Sequence, residues 1–393
     1  MQPAVTLPHE PSNAWPRLDA KDEAAVLAVM RDGNISTHGV IRELERDYQR
    51  FSGRRHALAH NNGTAALTAA FHALDLRPGD EVLVPTATFW ASVLPMLWFG
   101  LVPVFCESEP ERLGPDPVDM ARRITPRTRA MVVVHLWGMP AKMTELRQLA
   151  AKHDLKIIED ASHAHGASWR GVPCGQLGDL SVFSLQGDKL APAGEGGVLL
   201  TDSDEFLERA TCLGDITRII ELESPARRFA ATSFGIKTRI APLSAAIARV
   251  QLSKLEANNR LRNGNLERLS RALESLGFDC FLPPAHIKRV YFEFLIRHRD
   301  RGRDGAALIE ALKAQGCQVR APRYPLVHQQ PFFTEGHWAR IGRVSDAQAR
   351  ALATPGDFSR TASENGRLLR LPSFPGPDNG ILDQYIEAFR RVS

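Results

Sequence analysis

From Ala57 onward, short apolar runs alternate with stretches whose apolar residues recur at helical spacing, and no other feature limits the fold as strongly. Runs too short for a helix, separated by helices, form a mainly parallel sheet wrapped by helices. HALAH leads through Asn61-Asn62-Gly63-Thr64 into AALTAAFHALDL, where Ala66, Leu67, Ala70, Phe71 and Leu74 make one stripe: a strand, a tight turn and a helix. EVLVP, LVPVFCE and RAMVVVHLWG read as further strands, and ATFWASVLPMLWFG as a helix. MTELRQLAAKHD is a helix whose return strand, LKIIEDAS, carries Asp160 at its carboxyl end. LGDLSVFSL and GGVLLTD are two more strands, with Lys189 in the connection between them.

Near Ala241 the texture changes to a long charged helix, SAAIARVQLSKLEANNRLRNGNLERLSRALESLG. The strand YFEFLIRH, the helix GAALIEALKAQG, a loop around Tyr324-Pro325 and the helix DQYIEAFRRV follow. The expected organisation is an N-terminal arm (1–20), a large α/β domain (21–255) and a smaller α+β domain (256–393), with the long helix as hinge near Leu255. With 393 residues, 44% of them apolar, the chain can fill both cores. Its 49 basic residues nearly balance 45 acidic ones without a sustained basic run, which argues against a nucleic-acid partner. No run of apolar residues is long enough for a membrane span, and the proline-broken N-terminus lacks the apolar core of a secretory signal. Five scattered cysteines without a Cys-x-x-Cys pair fit neither a disulfide framework nor a zinc site, and point to the cytoplasm.

Chemistry concentrates on the sheet's carboxyl edge, where open α/β folds gather ligands. Lys189 lies in FSLQGDK, ahead of the turn Gly194-Glu195-Gly196-Gly197. An amine there can form a Schiff base with a cofactor aldehyde, and a carboxylate at Asp160 can keep a pyridine nitrogen protonated so that the ring accepts electrons; the pair suits pyridoxal 5'-phosphate. Gly63, Thr64 and Ala65, at a helix N-terminus, can face a phosphate with backbone N–H groups.

These residues, with Thr88-Phe89, Glu159-Asp160-Ala161 and Ser184 placed five before Lys189, resemble the DegT/DnrJ/EryC1/StrS family of sugar aminotransferases, of fold-type I, over nearly the whole chain. The resemblance implies covalent cofactor attachment at Lys189, a pyridinium contact at Asp160, a second phosphate donor at Ser184 and ring stacking by Phe89, with Trp90 packing inside instead as the alternative. It places His163 near the cofactor's phenolic oxygen, where the family usually has glutamine; a histidine titrating near neutrality would add a pH dependence. It further implies a homodimer with a shared active site, and a cycle through pyridoxamine 5'-phosphate that moves an amino group from glutamate or glutamine to a keto-sugar, foremost a nucleotide-linked one. A cyclitol or free sugar acid is the alternative acceptor, and a non-catalytic sensor the alternative role.

Three departures from the family pattern stand out. Lys237 replaces an asparagine that reaches the partner's phosphate, and either supplies that contact with a full charge or faces solvent; Arg239 lies beside it. Asp188 replaces a small hydroxyl residue and is given no catalytic role. Arg323 stands where the family has histidine, in a substrate-side loop with Tyr324 and His328. His165 is not expected to bind a metal, since no third ligand is evident.

Overall fold

The computed structural model describes residues 2–342 and 357–393. In chain order the strands are β1 (His56–His60), β2 (Glu81–Pro85), β3 (Val102–Cys106), β4 (Thr128–Val134) and β5 (Lys156–Asp160), a short hairpin β6 (Ser168–Trp169) and β7 (Val172–Pro173), then β8 (Leu180–Ser184) and β9 (Gly197–Thr201). Seven of them form one sheet in the order β1-β9-β8-β5-β4-β2-β3. Only β9 runs against its neighbours. The carboxyl ends of the other six therefore share one edge. Val82, Leu83 and Val84 on β2 are fully buried; burying such a side chain is worth about 1.5–3 kcal/mol, against a whole strand-propensity range of about 1 kcal/mol. Burial, more than intrinsic preference, makes these runs strands.

Helices Gly63–Ala73 and Asp204–Gly214 pack against each other and against this sheet. The expected helix over ATFWASVLPMLWFG is instead two 3-10 turns, Trp90–Ser92 and Leu94–Phe99. Val93 leaves helical geometry between them (φ −122°, ψ −53°), and Pro95, which has no N–H to donate, starts the second turn.

The helix Pro242–Ser275 runs unbroken past Leu255. Leu255 packs into the core beneath the large sheet, whereas Leu266, Leu269 and Leu273 enter a second core. That core lies against the antiparallel sheet β10-β12-β13, made of β10 (Phe278–Asp279), β12 (Phe294–His298) and β13 (Leu368–Leu371), while β11 (Ile287–Lys288) pairs with β6. The chain crosses between the cores more than once: Val5 of the arm belongs to the second, and Val290, Phe292, Val327 and Phe333 return to the first. No helix among the described residues is long and apolar enough to cross a membrane.

Candidate active site

Residues that follow the carboxyl ends of β1, β2, β5 and β8 line one cavity of about 750 Å³. Its floor is the turn after β1. Asn62 caps the following helix, its side-chain oxygen accepting the Ala65 N–H at 2.7 Å. The N–H groups of Gly63 and Thr64 have no acceptor among the described residues and stand at the positive end of the helix. A Cβ on Gly63 would lie 2.8 Å from the Cβ of Ser184, so glycine is what allows these two segments to approach. Gly63, Thr64 and Ser184 all face the cavity. Ala65 does not: its N–H serves the Asn62 cap and it is absent from the wall, which corrects its expected place among the phosphate donors.

Asp160 is buried at the end of β5, in register with Val134 on one side and Val182 on the other. The Ser92 hydroxyl donates to Oδ2 at 2.7 Å and the Ser162 N–H to Oδ1 at 3.1 Å. Thr88 Oγ1 lies 2.9 Å from Ser92 Oγ and holds that hydroxyl in turn. Behind it, the neighbouring Glu159 carboxylate accepts the N–H groups of Leu177 at 2.8 Å and Gly178 at 3.0 Å, which pins the strand end to the following loop.

Lys189 keeps 8% of its surface exposed, with Nζ 4.2 Å above the centre of the Phe292 ring and no side-chain hydrogen bond or ion pair among the described residues. The Trp15 indole N–H donates to its backbone carbonyl at 3.0 Å, so the N-terminal arm helps hold the loop. Burial lowers the ammonium from its ordinary 10.5 to about 8. The neutral, nucleophilic fraction therefore rises as pH climbs through 8. Capture of pyridoxal phosphate by the apoprotein, followed by absorbance, is expected to accelerate with a midpoint near pH 8; a midpoint near 10 would show that the amine is solvated.

Four rings form a pile beside the lysine. His163 stacks on Phe292 at 4.1 Å and on Trp137 at 5.6 Å, and Trp137 stacks on Tyr324 at 4.9 Å. His163 Nδ1 accepts the Trp137 N–H at 3.3 Å, and Nε2 lies 3.4 Å from the Tyr324 hydroxyl. Burial between rings, reinforced by the charges of Lys189 and Arg323, pushes the imidazole well below its usual value. It stays neutral, which corrects the expected titration near neutrality. Phe89 lies on the cavity wall, and so does Trp90, which is 44% exposed and does not pack inside.

Arg323 and Tyr324 line the cavity; His328 does not. The His328 ring is buried beneath the loop, hydrogen-bonded through Nδ1 to Thr86 Oγ1 and packed 4.6 Å from Phe358, with burial lowering its pKa to about 4. That corrects its expected substrate role. Arg323 is held on two sides, by Glu293 at 2.5 Å and by Asp188 at 2.8 Å, which gives Asp188 a structural partner. Lys237 is exposed, and Arg239 binds Ser36 Oγ at 2.8 Å; neither reaches the cavity of its own chain. His165 donates to or accepts from Tyr48 at 3.0 Å in the core.

Sequence reading missed Ser92, Trp137, Phe292 and Glu293. Ser92 left a faint signal, as a polar residue inside an apolar stretch; the others look like ordinary core or surface residues until the loops come together.

The donor set fits pyridoxal phosphate: an anion cup only glycine can close, a buried carboxylate, and a buried amine with depressed basicity. The wider comparisons agree. GDP-perosamine synthase from Caulobacter vibrioides is 32% identical over 327 residues, covering 82% of this chain and 86% of that protein. L-glutamine:2-deoxy-scyllo-inosose aminotransferase from Streptomyces fradiae is 35% identical over 328 residues, covering 80% and 77%. Among solved structures, S. venezuelae DesV, in complex with a ketimine intermediate, superposes with a TM-score of 0.80 at 29% identity, covering 95% of this chain and 94% of that one. The cofactor is pyridoxal 5'-phosphate. With residues 16–357 matching its model, the chain belongs to the DegT/DnrJ/EryC1/StrS aminotransferase family.

Proposed function

We propose that the protein moves an amino group from glutamate or glutamine to the carbonyl carbon of a nucleotide-linked keto-sugar, as a homodimer in the cytoplasm. The observation that carries this reading is Lys189: a buried amine with lowered basicity, facing a cavity that also holds Asp160 and the anion cup.

When bound, pyridoxal phosphate supplies an electron sink for the carbon that loses a proton. Lys189 Nζ, made less basic by burial, takes that proton and returns it to the carbon on the far side of the intervening nitrogen. Asp160, its oxygens fixed by Ser92 and Ser162, holds a proton on the pyridine nitrogen. The N–H groups of Gly63 and Thr64 and the hydroxyls of Thr64 and Ser184 bind the phosphate. Phe89 and the neutral His163 fix the ring's plane. Lys237 and Arg239, which miss their own cavity, act on the partner subunit's site.

A cyclitol acceptor is the second reading, because the relative named above that acts on 2-deoxy-scyllo-inosose is about as similar as the one named for GDP-perosamine. Mixing cofactor-loaded enzyme with L-glutamine or L-glutamate is expected to bleach the visible cofactor band, and a nucleotide-linked keto-sugar to restore it. Restoration by scyllo-inosose alone would select the cyclitol reading. A band that neither donor bleaches would overturn amino transfer and favour a non-catalytic role.

A further inference from the structure

The N-terminal arm passes behind the lysine loop with both of its flanks fixed. On one side Val5 lies in the second core, its N–H donating to the Gln315 carbonyl at 2.9 Å. Ser12 is fully buried, its hydroxyl donates to the Pro377 carbonyl at 2.7 Å, and its own carbonyl accepts the Gly376 N–H at 2.9 Å. On the other side the chain docks on the helix Pro242–Ser275. There Gln251 Nε2 donates to the Arg17 carbonyl at 3.2 Å, and Lys254 pairs with Asp19 and Asp22 at 2.8 and 2.6 Å. Trp15 sits between these anchors, half-buried.

Its indole is used twice, by face and by edge. The Arg262 guanidinium of the same helix lies 4.4 Å from the ring centre. Arg262 is only 2% exposed, and its Nε and Nη1 have no hydrogen-bond partner among the described residues. Burial, with no charged neighbour to offset it, lowers its pKa to about 9. Taking a guanidinium out of water with orphaned N–H groups is costly, and the π face of Trp15 is the contact that compensates. That attraction fixes the plane of the ring. The ring's edge then presents Nε1–H to the Lys189 carbonyl at 3.0 Å, the one donor to that oxygen among the described residues. The other backbone bonds here, Lys189 N–H to Gln186 at 2.8 Å and Ala193 N–H to Leu185 at 2.7 Å, are internal to the loop. The indole ties its backbone to an outside element. A carbonyl that loses its donor can turn its peptide plane, and the change in direction at Cα is magnified at Nζ by the length of the side chain.

We propose that Trp15 is a positioning residue for Lys189: steadied by Arg262, its indole N–H fixes the lysine's carbonyl and so aims Nζ into the cavity. The inference rests on Lys189 as the point of cofactor attachment, and does not depend on which acceptor is used.

Trp15→Phe keeps a ring over Arg262 and deletes the N–H. In the cofactor-loaded variant, the rate at which the better of saturating L-glutamine and L-glutamate bleaches the visible band is expected to fall about tenfold. The half-saturating donor concentration should stay within threefold, since a misaimed group costs chemistry more than binding. Two readouts need no amino transfer. Capture of pyridoxal phosphate by the apoprotein should shift its midpoint upward from about 8 as the amine gains water, and amide exchange over residues 186–192 should quicken. Trp15→Ala also strips the cover from Arg262, so its melting temperature should drop below that of Trp15→Phe. Adding Arg262→Met, which leaves no buried cation to shelter, should restore part of the melt but not the capture midpoint. Parent-like bleaching rate, capture midpoint and amide exchange in Trp15→Phe would overturn the proposal, and so would a midpoint that recovers together with the melt, because Trp15 would then act through packing alone. A parent that captures the cofactor elsewhere than Lys189 would instead remove the amino-transfer reading, and amide exchange would still judge whether Trp15 holds the loop.

Discussion

Lys189→Ala is expected to lower kcat by about 10⁴-fold or more, because one side chain supplies both the attachment point and the proton carrier. The variant should still fold. Lys189 makes no side-chain hydrogen bond or ion pair among the described residues, so alanine forfeits only a contact over the Phe292 ring, worth about 0.5–2 kcal/mol. Steady-state turnover with glutamine, set beside a thermal melt, separates the two effects. Borohydride reduction of the loaded parent followed by peptide mapping should label Lys189 and nothing else. A label elsewhere, or a variant that retains a tenth of parent activity, would move the chemistry to another residue.

Asp160→Asn is the second large effect, expected to cost about 10²–10³ in kcat, the range for removing one preorganised electrostatic group from a transition state. The substitution keeps the shape and removes the charge that holds the pyridine nitrogen protonated. It also turns one atom of the group into a donor, and both oxygens of the native carboxylate already accept, from Ser92 and from the Ser162 N–H. Cofactor affinity measured separately, and kcat taken at saturating cofactor, will show whether the loss is chemical. A kcat within threefold of the parent would mean that Asp160 is a strand-end hydrogen-bonding residue with no part in the chemistry.

The strands of the large sheet were legible because most are short, largely apolar runs between helical stretches; EVLVP and LKIIED needed no tertiary information. Lys189 and Asp160 were singled out as members of an ordered set, a carboxylate ending one strand and an amine in the connection between two others ahead of a glycine-rich turn. The segment 87–100 was not legible, since its aromatic and apolar content mimics a helix while Pro95 splits the hydrogen-bond ladder. His328 was expected near the substrate because the resemblance places it in one substrate-side loop with Arg323 and Tyr324; its partner Thr86 lies far away in sequence and turns it inward. The neutrality of His163 was equally hidden, as it comes from rings contributed by Trp137 and Phe292 rather than from anything adjacent in the chain.

Because β9 folds back directly against β8, Ser184 faces Gly197 across a hairpin, and the lysine-bearing segment is a loop closed by its own flanks. Closing so short a loop restricts little chain, whereas bringing Gly63 against Ser184 must immobilise everything threaded between them. The nucleophile's half of the site can thus become ordered from nearby pairings, while the half that grips the anion waits for long-range sheet assembly.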